Sequence, residues 1–234
     1  MSRNNASLTL AAFGALAILI ALGMWQLQRR EWKNALVARF EAGLAEAPRA
    51  FQRDLPEFSH ARVTGEFLDA STVKLLIPAP EGVRAKTKDG FGYQLFTPMK
   101  FQTGIVFVNR GFVPESLIGT PIAAAPRGET EVTGLVRLSQ APGWFTPPPE
   151  PAKRVVYEPE IPAMAAAAGL SSGGVIEGAY IQAEPSTPAG EWPLPRDPRE
   201  LLASIPNRHL EYALTWFGLA ATLAGVYAAF MLRR

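Results

Sequence analysis

Two charge-free apolar runs, one at each end of the chain, flank a proline- and glycine-punctuated series of short β-forming runs. Together they predict an α+β protein: two transmembrane helices flanking a single antiparallel β-rich extramembrane domain with small helices. The boundaries are 8–28 for the first helix, 29–208 for the domain and 209–232 for the second helix.

The first run holds no charge from Thr9 to Gln28 and is almost wholly apolar from Leu8 to Leu22. With Arg3 in front and Ala21-Leu-Gly23 as a small-x-small site, it reads either as a cleaved signal peptide or as a retained anchor. Its length and the border aromatic Trp25 favour the anchor. A helix from Glu31 to Glu46 continues it. Strands follow at Ala61–Leu68, Thr72–Ile77, Gly92–Thr97, Ile105–Asn109 and Thr130–Leu138, then Arg154–Tyr157 and Val175–Gln182. The Pro98-to-Gly104 connection suits a hairpin. Ala163 to Ala168 is a helix-forming run stopped by Gly169, so a short helix is expected over Ile161–Ala168. Pro142–Pro151 and Pro185–Pro198 carry too many prolines for regular structure and read as loops.

The second run has no charge from Tyr212 to Leu232, 21 residues that suffice to cross a bilayer. Retaining both spans puts the domain on one side of the membrane and both tails on the other. The end of the first span and the start of the second then meet the same membrane surface. Ala221, Gly225 and Ala229 form a small-residue stripe that Ala11 and Ala15, or Ala17 and Ala21, would face in a helix pair. Charge counting leaves orientation open: Arg3, Arg233 and Arg234 oppose Arg29, Arg30 and Lys33.

Several chemistries are poorly supported. The chain has no cysteine, which removes disulfides, zinc ribbons and thiol chemistry. A net charge of +2 without a dense basic patch argues against nucleic acid. Only His60 could serve a hydrolytic triad in the domain, and no nucleophile elbow surrounds a serine. His60 reads instead as a surface or strand-start residue. Phosphate-binding glycine loops are missing, so nucleotide-dependent chemistry is not expected. In Asn109-Arg110-Gly-Phe-Val-Pro114, a strand end and turn, Arg110 reads as a buried charge with a carboxylate partner.

His209 stands at the mouth of the second span, with Tyr212 and Trp216 on its helical face. Trp25, Arg29 and Trp32 share a face at the matching end of the first span. His209 is open to two readings: an interfacial helix-start residue, or an axial ligand to haem iron. For a haem, Trp216, Tyr212, Trp25 and Trp32 would supply apolar walls, and Arg29 or Arg208 would meet the propionates.

Four stretches resemble the Surfeit locus protein family, assembly factors for haem-copper cytochrome c oxidase. Gly23-Met-Trp-Gln-Leu-Gln-Arg29 with Trp32-Lys33 is similar to the segment ending its first span. Gly92-Tyr-Gln-Leu-Phe-Thr-Pro98 and Val108-Asn-Arg-Gly-Phe-Val-Pro114 are similar to its paired strands. Pro206-Asn-Arg-His-Leu-Glu-Tyr-Ala-Leu-Thr-Trp-Phe-Gly-Leu-Ala220 is similar to its C-terminal signature. One departure is Arg154–Tyr157, where relatives often carry a tryptophan. The resemblance implies a multi-pass membrane protein with both tails inside and its domain in the bacterial periplasm or the mitochondrial intermembrane space. The lack of an Arg-rich presequence before the first span favours the bacterial plasma membrane, with the domain periplasmic and both tails cytoplasmic. Its implied task is binding haem a at His209 and assisting delivery to the oxidase catalytic subunit, alongside the haem a synthesis machinery. That is assembly without catalytic turnover. The rival reading is a structural chaperone that stabilises the oxidase core subunit without binding haem.

Overall fold

The computed structural model describes residues 3–80, 82–84, 89–120, 124–185, 192–195 and 208–233. Pro206 and Asn207 of the C-terminal signature lie outside these, as does most of the expected loop at 185–198. The chain divides into two compact units, Met1–Arg39 with Leu202–Arg234, and Phe40–Leu201.

The first unit is a pair of helices. Helix α1 runs unbroken over Arg3–Ala45, joining the expected span and its continuation into one element whose last turns belong to the second unit. The other member of the pair is the C-terminal helix, His209–Leu232. Both are long and apolar enough to cross a membrane. Their apolar side chains face outward: Leu10 is 76% exposed, and Ile18, Leu214 and Val226 are each 63% exposed. A soluble core helix buries such residues, whereas a bilayer solvates them.

The second unit is built on strands β1 (Arg49–Ala50), β2 (His60–Phe67), β3 (Val73–Pro78), β4 (Phe91–Phe101) and β5 (Gly104–Pro114), followed by β6 (Glu129–Leu138), β7 (Val155–Val156) and β8 (Val175–Ala183). Helix α2 (Ile161–Ala168) lies between β7 and β8, and the C-terminal helix is α3. Neighbours run β2, β6, β8, β5, β4, and the end of β4 pairs back onto β2 at Gly65–Phe101, closing a five-stranded barrel. Closure needs close backbone approach. A Cβ on Gly65 would lie 2.3 Å from the Lys100 carbonyl oxygen, and one on Gly134 would lie 2.1 Å from that of Gln182.

The expected β-rich domain with small helices is present, with one difference in strand direction. Most pairings are antiparallel, but β1–β2, β3–β7 and β5–β8 are parallel. Parallel neighbours need a long connection, and β5 reaches β8 only through β6, β7 and α2. The alternation of a single strand carries no trace of that pairing. Strand β4 runs on through Pro98, whose carbonyl accepts from Leu68 N at 2.8 Å, so the hairpin turn is the shorter Phe101–Gly104 link. The departure at Arg154–Tyr157 forms the two-residue edge strand β7.

Strand β5 is buried on both faces, as its continuous apolar run requires. Val106 and Val108 pack with Val63, Met99, Val136 and Ile181, whereas Phe107 packs with Phe96, Tyr180 and the Ile161–Met164 face of α2. Helix α2 ends on left-handed Gly169, with Leu170 N bonded to Ala165 O at 2.9 Å. The expected buried charge is present at Arg110. Its side chain is 8% exposed, with Nη1 3.8 Å from Asp69 Oδ1 and Nη2 donating to Ala124 O at 2.6 Å. Burial lowers its pKa, and Asp69 opposes that shift. His60 is a strand-start residue, but buried rather than at the surface.

Candidate functional site

The helix pair is antiparallel, tied by polar contacts near both ends. Tyr227 OH donates to Thr9 Oγ1 at 2.7 Å, and His209 Nδ1 lies 2.8 Å from Gln26 Oε1. The two ties are 17 residues apart on α1, roughly 26 Å at 1.5 Å per residue. That is close to the ~30 Å hydrocarbon thickness of a bilayer. Between them Gly23 lets the Phe217 ring approach so closely that a Cβ would sit 2.5 Å from it. Phe13 and Tyr227 meet edge to face with centroids 6.1 Å apart.

This seam is not the expected small-residue stripe. Ala213 and Ala220 are buried, whereas Ala221, Gly225 and Ala229 are exposed. The polar ties decide which face turns inward, because His209, Ala213, Ala220 and Tyr227 lie on one side of α3. The stripe lies on the far side of the helix, roughly 145° of rotation away at 100° per residue. The threonine hydroxyls within α3 bond back to their own helix: Thr215 to Glu211 O and Thr222 to Gly218 O, each at 2.9 Å.

At the border end two side-chain groups form on α1. The Arg29 guanidinium lies over the Trp25 ring at 5.7 Å and over the Trp32 ring at 5.4 Å. Both rings remain about half exposed. One residue past Trp25, on another face, Gln26 takes His209. The structure thus joins Trp25, Arg29 and Trp32 to one another, and His209 to Gln26. On α3, Tyr212 is exposed and Trp216 half-buried at i+3 and i+7 from His209, and exposed Arg208 caps the helix start.

Gln26 is the site residue that sequence reasoning passed over. Its signal was present: an uncharged polar side chain within the apolar run asks for a partner on another helix. The contact also has chemical content. Because the facing atom is a carbonyl-type oxygen, Nδ1 is the donor of the pair. In the neutral ring the lone pair then lies on Nε2, which has no hydrogen-bond partner among the described residues. An imidazole held through one nitrogen with the other free is the arrangement metal-binding histidines adopt. No group of three or more His, Asp or Glu side chains able to hold a metal exists among the described residues.

The barrel unit offers a second concavity of about 580 Å³, lined by Asp69, Thr72, Lys74, Leu95 and Arg154 among others. Its cations are partly committed. Lys74 Nζ lies 5.6 Å over the Tyr93 ring, and Lys153 pairs with Glu150 at 2.7 Å. The hydrogen bond to Glu150 raises the Lys153 pKa and holds that of Glu150 low.

The family model that matches this chain is the SURF1 family, over residues 13–221. Surfeit locus protein 1 of Xenopus tropicalis is 28% identical over 92% of this chain and 72% of its own length. The SURF1-like protein of Monosiga brevicollis is 29% identical over 95% of this chain and 87% of its own. That of Rickettsia conorii is 29% identical over 94% and 90%, respectively. The matched region takes in Gln26, the whole barrel unit and the first half of α3. The chain belongs to the SURF1 family.

Proposed function

We propose that this protein is a membrane-anchored assembly factor for haem-copper cytochrome c oxidase. It binds haem a through His209 and passes it to the oxidase catalytic subunit. The observation that carries this reading is the His209–Gln26 pair, which orients one ring nitrogen and leaves the other for iron at a membrane border. Haem a is cargo supplied by its synthesis machinery, and the protein's part is to hold and release it without chemical turnover. A single axial imidazole suits release, because one ligand exchange frees the iron. Arg29 offers its N–H edges to a propionate while its face stays stacked on Trp25 and Trp32. Trp216, Tyr212 and Arg208 complete the proposed surroundings. Placement of the barrel unit in the periplasm of a bacterial cell, with both tails cytoplasmic, belongs to the same proposal.

The test is absorption spectroscopy of the full chain purified from cells that make haem a. The wild type is expected to show a Soret band, which His209→Ala loses while helix content and barrel unfolding stay unchanged. A band of equal height and position in the variant would remove His209 from the role.

One observation favours a second reading. Trp25, Arg29 and Trp32 satisfy one another on an exposed face, as a contact surface for a protein partner would. On that reading the protein is a chaperone that stabilises the oxidase core subunit and binds no haem. Stoichiometric co-purification with that subunit, without haem and abolished by Trp32→Ala, would select it.

A further inference from the structure

The barrel unit displays two adjacent aromatics that no described residue of the unit covers. Trp144 is 95% exposed and Phe145 93% exposed, the most exposed large aromatic pair among the described residues. They sit at the tip of a formed turn. Thr146 N donates to Gly143 O at 3.1 Å, and Gly143 N donates to Thr146 Oγ1 at 2.9 Å. The base of the loop is fastened to the barrel unit as well. Ser139 N bonds Gly178 O at 3.0 Å, Gln140 N bonds Pro159 O at 3.1 Å, and Glu150 N bonds Val155 O at 2.8 Å.

Two further features suit this loop to an apolar phase. Residues 139–149 include no Asp, Glu, Lys or Arg, so inserting the tip desolvates no charge. Prolines at 142, 147, 148, 149 and 151 carry no N–H, and the turn bonds those of Gly143 and Thr146 internally. Few backbone donors would therefore lose water.

We propose that the Trp144–Phe145 loop is an interfacial anchor that dips into the headgroup–acyl boundary of the bilayer. Trp favours that boundary, because its ring is apolar and its N–H reaches water or headgroups. The bilayer is also the apolar phase to which this chain is permanently tethered, which gives the contact a high effective concentration. A protein partner fits less well. Two side chains fall far short of the ~1,200 Å² that a stable protein interface buries.

The absence of cysteine permits a clean test, because a single introduced thiol takes the only label. The full chain would carry a nitroxide at Ala141→Cys, beside the tip, in phosphatidylcholine vesicles whose zwitterionic headgroups remove net electrostatic attraction. Gln102→Cys, in the β4–β5 turn, serves as the water reference, and Leu214→Cys, on the outer face of α3, as the lipid reference. The expected result is an oxygen-to-nickel-chelate accessibility ratio at Ala141→Cys several-fold above that at Gln102→Cys. The ratio should fall to the water value when Trp144→Ser and Phe145→Ser are added. An unchanged Gln102→Cys spectrum in that background shows that the barrel still folds. A water-like ratio with both aromatics present would overturn the proposal. So would shielding from both reagents, which would mean that protein covers the loop.

Discussion

The chain's two histidines begin two different elements and meet opposite surroundings. His60 starts β2 in the barrel unit, where Nδ1 lies 2.7 Å from Glu46 O and Nε2 lies 3.0 Å from Glu184 Oε1. The second is a close approach without aligned hydrogen-bond geometry. His209 starts α3 in the helix pair, where Gln26 holds Nδ1 and no described residue takes Nε2. A ring faced by protein oxygens on both sides is a structural joint. A ring gripped at one nitrogen only is the arrangement on which the proposed haem ligation rests. The same residue type is thus a structural joint in one unit and, on the proposed function, a ligand in the other.

The largest expected effect breaks the joint. His60→Ala removes the ring that fastens Glu46, just beyond the end of α1, to the start of β2, and it leaves space in a buried position. The lost hydrogen bond and stranded carbonyl should lower barrel stability by about 2–3 kcal/mol. Chemical denaturation followed by Trp192 fluorescence reads this loss. The haem spectrum should not change, which separates this histidine from His209.

A smaller effect is expected at the gripping residue. Gln26→Leu keeps the helix seam apolar and leaves His209 in place, but frees its tautomer and ring angle. Removing such a second partner lowers metal affinity by about 10–100-fold. Haem titration of the full chain measures the drop. Gln26→Glu retains an acceptor and should recover most of the affinity, an outcome that mere loss of packing would not produce. Equal affinities for wild type and Gln26→Leu would show that the contact only joins helices.

How much of this was legible in the sequence depended on the range of each interaction. The two spans, α2 and seven of the strands followed from charge-free runs, the Gly169 stop and local β-formers, all of which act within a few residues. The β5–β8 pairing joins segments separated by two strands and a helix, so no local pattern announced it. His209 was conspicuous because histidine is rare here and sits at a span border. Gln26 was not, because its meaning depends on which face α1 presents to α3. The small-residue stripe suggested one seam, and two interhelical hydrogen bonds selected another. Arg110 was legible as a buried charge because nothing else explained it in an apolar strand end. Its partner Asp69 lies 41 residues earlier in the chain, beyond the reach of local pattern.

The smallest expected effect sharpens the contrast through pH. Tyr180 lies in the layer packed between the barrel sheet and α2, against Phe96 with ring centroids 5.2 Å apart, and burial raises its pKa above the ordinary value near 10. The neighbouring Arg137 pulls the other way and is outweighed. The folded state therefore holds the phenolic proton more tightly than the unfolded state does. Below pH ~10 both states are protonated and the contribution to stability is complete. As pH rises beyond that, the unfolded chain ionises first, and stability is lost until the folded pKa is passed. One proton limits the slope to about 1.4 kcal/mol per pH unit. Tyr180→Phe keeps the ring contact and removes the titrating group, so barrel stability measured between pH 9 and 11 should fall less steeply than in the wild type. An identical slope in both proteins would show that Tyr180 reaches water in the folded barrel. The packing of β8 against α2, which holds that ring in place, would then be looser than the structure shows.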